Sequence, residues 1–287
     1  MKVIGLFVLL VSFQSFACDG GMALNKRHIS IPVNSALAND ITEQEFKKSI
    51  KEFQDFFLDE VESRDKAELI VIGSWASNTV NAYAEQISDW GDKKYYITVY
   101  GGLARHKDIT KDGLVAVLCH ELGHHFGGYP KKTTNRWSSA EGQADYYTTM
   151  KCLRRVWEKS NNTLAIQNVT IPSTLKTECE KTYGNDKELA LCQRMAMAGR
   201  SVSLMIQDLD HDSFEPKFET PDPQIVRAMN YMHPYAQCRL DTFFQGSICP
   251  VSQSVEFDDD NEELGACHQT NGDLRGLRPR CWFLSKK

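Results

Sequence analysis

The sequence has no apolar run long enough to cross a bilayer, no basic block, no internal repeat and no EF-hand loop. Each absence narrows what the chain can do. The N-terminal apolar stretch, Val3 to Val11, is far shorter than the roughly 20 residues a membrane helix needs. The mature chain is therefore expected to be free of the bilayer. A formal net charge of −5, with no cluster of Lys and Arg to neutralise phosphates, removes nucleic acid as an expected partner. The acidic run Asp258-Asp259-Asp260 lacks calcium-loop spacing and reads as a solvated loop.

Cysteine is what the chain does have, nine in 287 residues, with 41% hydrophobic content. Such a count suits an oxidising compartment where disulfides persist, and the length suits one large domain with a C-terminal appendix. The start agrees: Lys2, the apolar run and the small residues Ser15 and Ala17 form a signal peptide over 1–17. Cys18 would then begin the mature chain, and a lipid anchor on it is the competing outcome. The expected product is exported, periplasmic or secreted, and bacterial. One domain would cover 18–248 and a cysteine-rich extension 249–287. Within the second half the favoured pairs are Cys249 with Cys267 and Cys238 with Cys281, leaving Cys119 as a buried free thiol.

Phe46, Ile50, Phe53, Phe57 and Val61 recur at spacings of three and four, which predicts a helix over Thr42–Arg64 opened by a Thr42/Glu45 capping box. Glu68–Gly73 and Tyr95–Tyr100 are β-rich and predict strands of one small sheet. Further helices are expected over Thr110–Phe126, about Ser138–Glu158, about Asp186–Leu209 and near Pro223–Tyr231. The class is α+β and mostly helical.

The second of these five helices carries His120-Glu121-Leu122-Gly123-His124. On a helix the two histidines share a face one turn apart, while Glu121 is turned aside yet near enough to reach a bound water. Two imidazoles and a carboxylate in apolar surroundings are costly to desolvate unless something satisfies them. A single Zn2+ does so, but catalytic zinc takes three protein ligands. Glu141, in Ser138–Asp145, is the expected third, and Asp145 one turn on can orient a ligating imidazole. His125 is rotated about 100° from the ligand face and is read as structural, and His106 as exposed.

These blocks, with Val80–Ala84, Ile97–Leu103, His233-Pro234 and Arg239 in the same order, resemble the gluzincin zinc metallopeptidases of the CAAX prenyl endopeptidase and heat-shock membrane protease group. The resemblance implies a zincin-like fold with zinc between two helices and a small sheet whose edge strand, here Tyr96, Ile97, Thr98, Val99 and Tyr100, binds extended peptide. It implies His233 as oxyanion stabiliser or resting-state cap, and Arg239 as an organiser of that segment or a partner for an acid of the metal helices. Zinc on His120, His124 and Glu141 would acidify its water, with Glu121 as base.

The expected activity is an exported zinc endopeptidase acting on extended or unfolded polypeptide. The rivals are a chaperone-like binding protein without turnover, disfavoured by Glu121, and a zinc hydrolase of cell-wall peptides. The membrane helices of the resembled group are missing, and that group's pattern does not explain the cysteine-rich end.

Overall fold

The computed structural model describes residues 21–89, 91–212 and 214–286, together with the backbone of Ser15 and Phe16. The rest of the expected signal peptide, and Cys18 with its anchor, lie outside the described residues. The fold is α+β. In chain order it comprises β1 (Ser15–Phe16), α1 (Glu43–Asp65), β2 (Ala67–Ser74), β3 (Ala82–Asp89), β4 (Asp92–Tyr100) and α2 (Gly101–Ala104). These are followed by α3 (Lys111–Phe126), α4 (Glu141–Tyr147), a π-helical turn over Thr148–Cys152, α5 (Leu153–Trp157), α6 (Asn162–Ile166), α7 (Ser173–Thr182), α8 (Asp186–Asp210) and α9 (Ala236–Ser247).

α1 begins at the predicted capping box: Thr42 Oγ1 accepts from the Glu45 amide at 3.2 Å, and the Thr42 amide donates to the Glu45 carboxylate at 3.0 Å. Its five predicted apolar residues are all buried, which turns that face onto β2. β2 reaches the sheet as a parallel neighbour of β4, and β3 pairs antiparallel on β4's other side. The order is β1-β3-β4-β2. Tyr96–Tyr100 thus lies in an interior strand, and the expectation that it is the substrate-binding edge is wrong. The reason is the 75–81 connection, which carries the chain from β2 across β4 so that β3 can form a hairpin on its far side. Gly101 and Gly102 permit this crossing, because a Cβ at either would strike the backbone of Trp75 or Asn78. Arg105 then ties the connection down, donating to the carbonyls of Ile31, Trp75 and Ser77.

α3 lies against the sheet and packs on α8, which in turn carries α9. The predicted helix over Ser138–Glu158 starts only at Glu141 and is interrupted by the π-helical turn. Thr149 Oγ1 in that turn donates to Phe243 O of α9 at 2.7 Å, where Gly246 allows close approach. No helix forms over 223–231 among the described residues; α9 begins beyond Pro234, after a stretch broken by Pro221, Pro223 and Pro234. No described helix is long and apolar enough to cross a membrane.

Four cysteine pairs stand at disulfide distance: Cys119–Cys152, Cys179–Cys192, Cys238–Cys281 and Cys249–Cys267. The last two match expectation. Cys119 is not a free thiol, because the π-helical turn presents Cys152 to it with Cα atoms 5.6 Å apart. Residues 249–286 fold back along α4: Trp282 covers Gly142, Arg278 Nε donates to Gln143 Oε1 at 2.8 Å, and Tyr146 OH donates to Gly276 O at 2.5 Å.

Candidate metal centre

α3 opens on Thr110, whose hydroxyl accepts from the Gly113 amide, and places His120 and His124 on one buried face. The glycine between them matters for its size. A Cβ on Gly123 would come within 2.9 Å of Ala144 O, so only glycine lets α4 approach α3 this closely. The two helices are also pinned at their junction, with the Ser139 amide donating to His124 O at 2.9 Å and Gln143 Nε2 to Gly127 O at 2.6 Å. Glu141, at the first turn of α4, is thereby delivered to the histidines. Nitrogen and oxygen atoms of His120, His124 and Glu141 lie within 4.8 Å of one another.

Hydrogen bonds on the far side of each imidazole select the tautomer. His120 Nδ1 faces Asp145 Oδ1 at 2.8 Å and His124 Nδ1 faces Ser139 O at 3.0 Å. Both partners accept, so both Nδ1 atoms carry a proton and it is Nε2 of each ring that points inward, open to an ion once it is deprotonated. There His120 Nε2 stands 3.3 Å from Glu141 Oε2, and His124 Nε2 stands 3.7 Å from Glu141 Oε1. Asp145 is itself gripped by Arg239, which donates to both its oxygens at 2.7 Å and to Met22 O at 2.7 Å. Of the two roles expected for Arg239, pairing with an acid of the metal helices is the one formed.

The site is fully buried, and charge follows from that. Burial acts against the His120 cation, but the carboxylates of Asp145 and Glu141 outweigh it and bring the pKa up to about 9. Burial, helped by the Glu141 carboxylate, lifts Glu121 to about 7 against the charges of His120, Arg239 and Lys132, and burial holds His124 well below the ordinary imidazole range. Glu141 is opposed by burial yet kept strongly acidic by His233, Lys132 and His124. Among the described residues, His120 Nε2 and both Glu121 oxygens are buried without a hydrogen-bond partner. Orphaned polar atoms of this kind carry a penalty of about 1–3 kcal/mol each unless a ligand meets them. An imidazole lone pair and an anionic carboxylate in this arrangement fit a divalent cation bound by two nitrogens and one oxygen.

His233 reaches the same centre, with Nε2 3.6 Å from Glu141 Oε2 and 2.7 Å from Gly21 O. Two features at the site were missed from sequence. Lys132 donates to Glu141 Oε1 at 2.7 Å, and the backbone of Gly21 and Met22 lines the site beside His233 and Arg239. Neither has a periodic or spacing signature. His125 is structural, as expected, stacked between Tyr95 and Trp137. His106 is not exposed: it is buried between Asp108 and Asp208, with Nε2 3.3 Å from the latter. Those carboxylates are already paired with Lys107 and Arg27, which leaves little charge there for a second cation. Asp258, at the surface, accepts the amides of Asp260 and Asn261 within its own loop.

Known protein families, curated proteins and solved structures offer no match to this chain.

Proposed function

We propose that the protein is an exported zinc-dependent endopeptidase of the gluzincin type, hydrolysing extended or unfolded polypeptide. One observation carries the reading: the donors of His120, His124 and Glu141 converge while Glu121 stands beside them with both oxygens uncommitted. His120, His124 and Glu141 would hold the zinc, which when bound supplies Lewis acidity toward a peptide carbonyl and its attacking water. Glu121 takes the water's proton and returns it to the leaving amine, a role suited to a carboxyl group held near neutrality. Asp145, fixed by Arg239, keeps His120 in the ligating tautomer. His233 would donate toward developing negative charge once Gly21 O releases it, a role supported by its Nε2 lying 3.6 Å from Glu141 Oε2.

Extended substrate would add to the sheet at β3 rather than at β4. On the outer side of β3, the Met22 amide donates to Ala82 O at 2.8 Å and Ser15–Phe16 pair with Glu85–Gln86. Removal of a signal peptide over 1–17 would free the second of these positions for β-augmentation.

The test compares wild type with Glu121→Gln, measuring zinc content and cleavage of casein and of purified cell-wall sacculi. The expected result is equal zinc in both proteins, casein cleavage by wild type, and a loss of at least about a thousandfold in the variant. Cleavage of sacculi alone would favour the cell-wall hydrolase, and zinc without turnover in either protein the binding scaffold.

A further inference from the structure

Lys132 stands outside every motif that marked the site, yet its ammonium is buried against Glu141. The chain positions it deliberately. Its backbone amide donates to Ser138 O at 2.7 Å, and the adjacent Lys131 forms a β-bridge with Ser139, so the 131–132 segment is held against the turn that begins α4. From there Nζ reaches Glu141 Oε1 at 2.7 Å, both side chains being almost completely enclosed. The other carboxylate oxygen, Oε2, faces His120 Nε2 at 3.3 Å and His233 Nε2 at 3.6 Å, whereas Oε1, held by Lys132, comes no nearer to an imidazole than 3.7 Å, at His124 Nε2.

A carboxylate can offer an ion one oxygen or two. We infer that Lys132 is a positioning residue of the metal site, holding Glu141 Oε1 so that Oε2 alone is presented to the ion. This rests on the metal-site reading above. Two consequences follow from elementary electrostatics. A positive charge beside the ion weakens its binding, because like charges repel strongly in a buried, poorly screened site. The hydrogen bond keeps Glu141 from chelating, which preserves room for substrate in the coordination sphere. The side chain thus gives up affinity in exchange for an open position, and a surplus cation on the ligand leaves the ion more electron-poor.

Two variants separate the charge from the hydrogen bond. Lys132→Met removes both; Lys132→Gln removes the charge and keeps an N–H donor for Oε1. The full chain, stripped of metal, is titrated with Co2+ and followed by its visible absorption, whose intensity falls as the coordination number rises. Wild type is expected to bind one Co2+ with intense bands. Lys132→Gln should keep those bands and bind roughly tenfold more tightly, the scale on which contacts to ligands act. Lys132→Met should bind more tightly still, with weakened bands as Glu141 chelates. Should Lys132→Met not fold, the affinity of Lys132→Gln decides alone. Wild-type affinity in Lys132→Gln, or wild-type bands and affinity in a folded Lys132→Met, would overturn the inference. Failure of wild type itself to bind Co2+ would instead remove the metal site on which it rests.

Discussion

His120 is oriented by Asp145, and Asp145 by Arg239, so the ligand geometry depends on a charge pair sealed inside the protein. Breaking such a pair from one side leaves the other charge buried alone. Arg239→Met should therefore lower unfolding free energy by about 3–5 kcal/mol, read from urea midpoints; a loss below about 1 kcal/mol would show that solvent reaches Asp145. Asp145→Asn keeps the shape but weakens acceptance from His120 Nδ1 and should reduce metal affinity by about 10–100-fold, with a stability loss on the scale of Arg239→Met because Arg239 is then the charge left buried alone. At this scale the motif was readable, because His120, Glu121 and His124 have helical spacing and Glu141 and Asp145 repeat it. Lys132, Gly21 and Met22 were not, since each arrives from a loop whose placement depends on tertiary packing. His106 was misread for the same reason: a histidine between a short helix and α3 has no apolar periodicity to announce its burial.

Helices with long apolar stripes, α1, α3 and α8, were legible almost to the residue because their caps are local: Thr42, Thr110 and Asn185 each accept from an amide three residues on. Strand order was not legible. β2 and β4 are recognisable by composition, but β3 carries Glu85, Gln86, Ser88 and Asp89, so its partial exposure hid it and with it the interior position of β4. The π-helical turn was equally hidden, and with it the partner of Cys119. That disulfide closes 33 residues and joins the ligand helix to the segment after α4. Its loss in a Cys119→Ser/Cys152→Ser double variant should cost about 3–4 kcal/mol by the loop-closure relation, measured under non-reducing conditions. A cost under about 1 kcal/mol would mean that packing alone holds the two segments together.

Over the whole molecule, the cysteine-rich end packs onto the body that carries the candidate metal centre. Trp282 fills the space over Gly142, and Lys151 reaches out to the carbonyls of Ser252 and Val255 at 2.8 Å. Burial drives Lys151 down from 10.5 to about 7. The unfolded chain then holds more protons than the folded one between about pH 7 and 10.5, so this lysine's contribution rises with pH across that window. It is complete above the upper value and lost as pH falls through the lower. Urea midpoints of wild type should accordingly improve relative to Lys151→Met between pH 7 and 9.5, whereas parallel pH profiles would show that Lys151 stays protonated in the fold. Sequence patterning could not foresee this docking, because 249–286 contains little regular secondary structure and its contacts to α4 are all long-range.

The convergence of three side chains from α3 and α4 on one cation is tested most directly by metal content after equilibrium dialysis against limiting zinc. Wild type and Glu121→Gln should each retain one zinc per chain, while His120→Ala and Glu141→Ala, folded as judged by circular dichroism, should retain almost none. Full retention of zinc by folded Glu141→Ala would contradict the account.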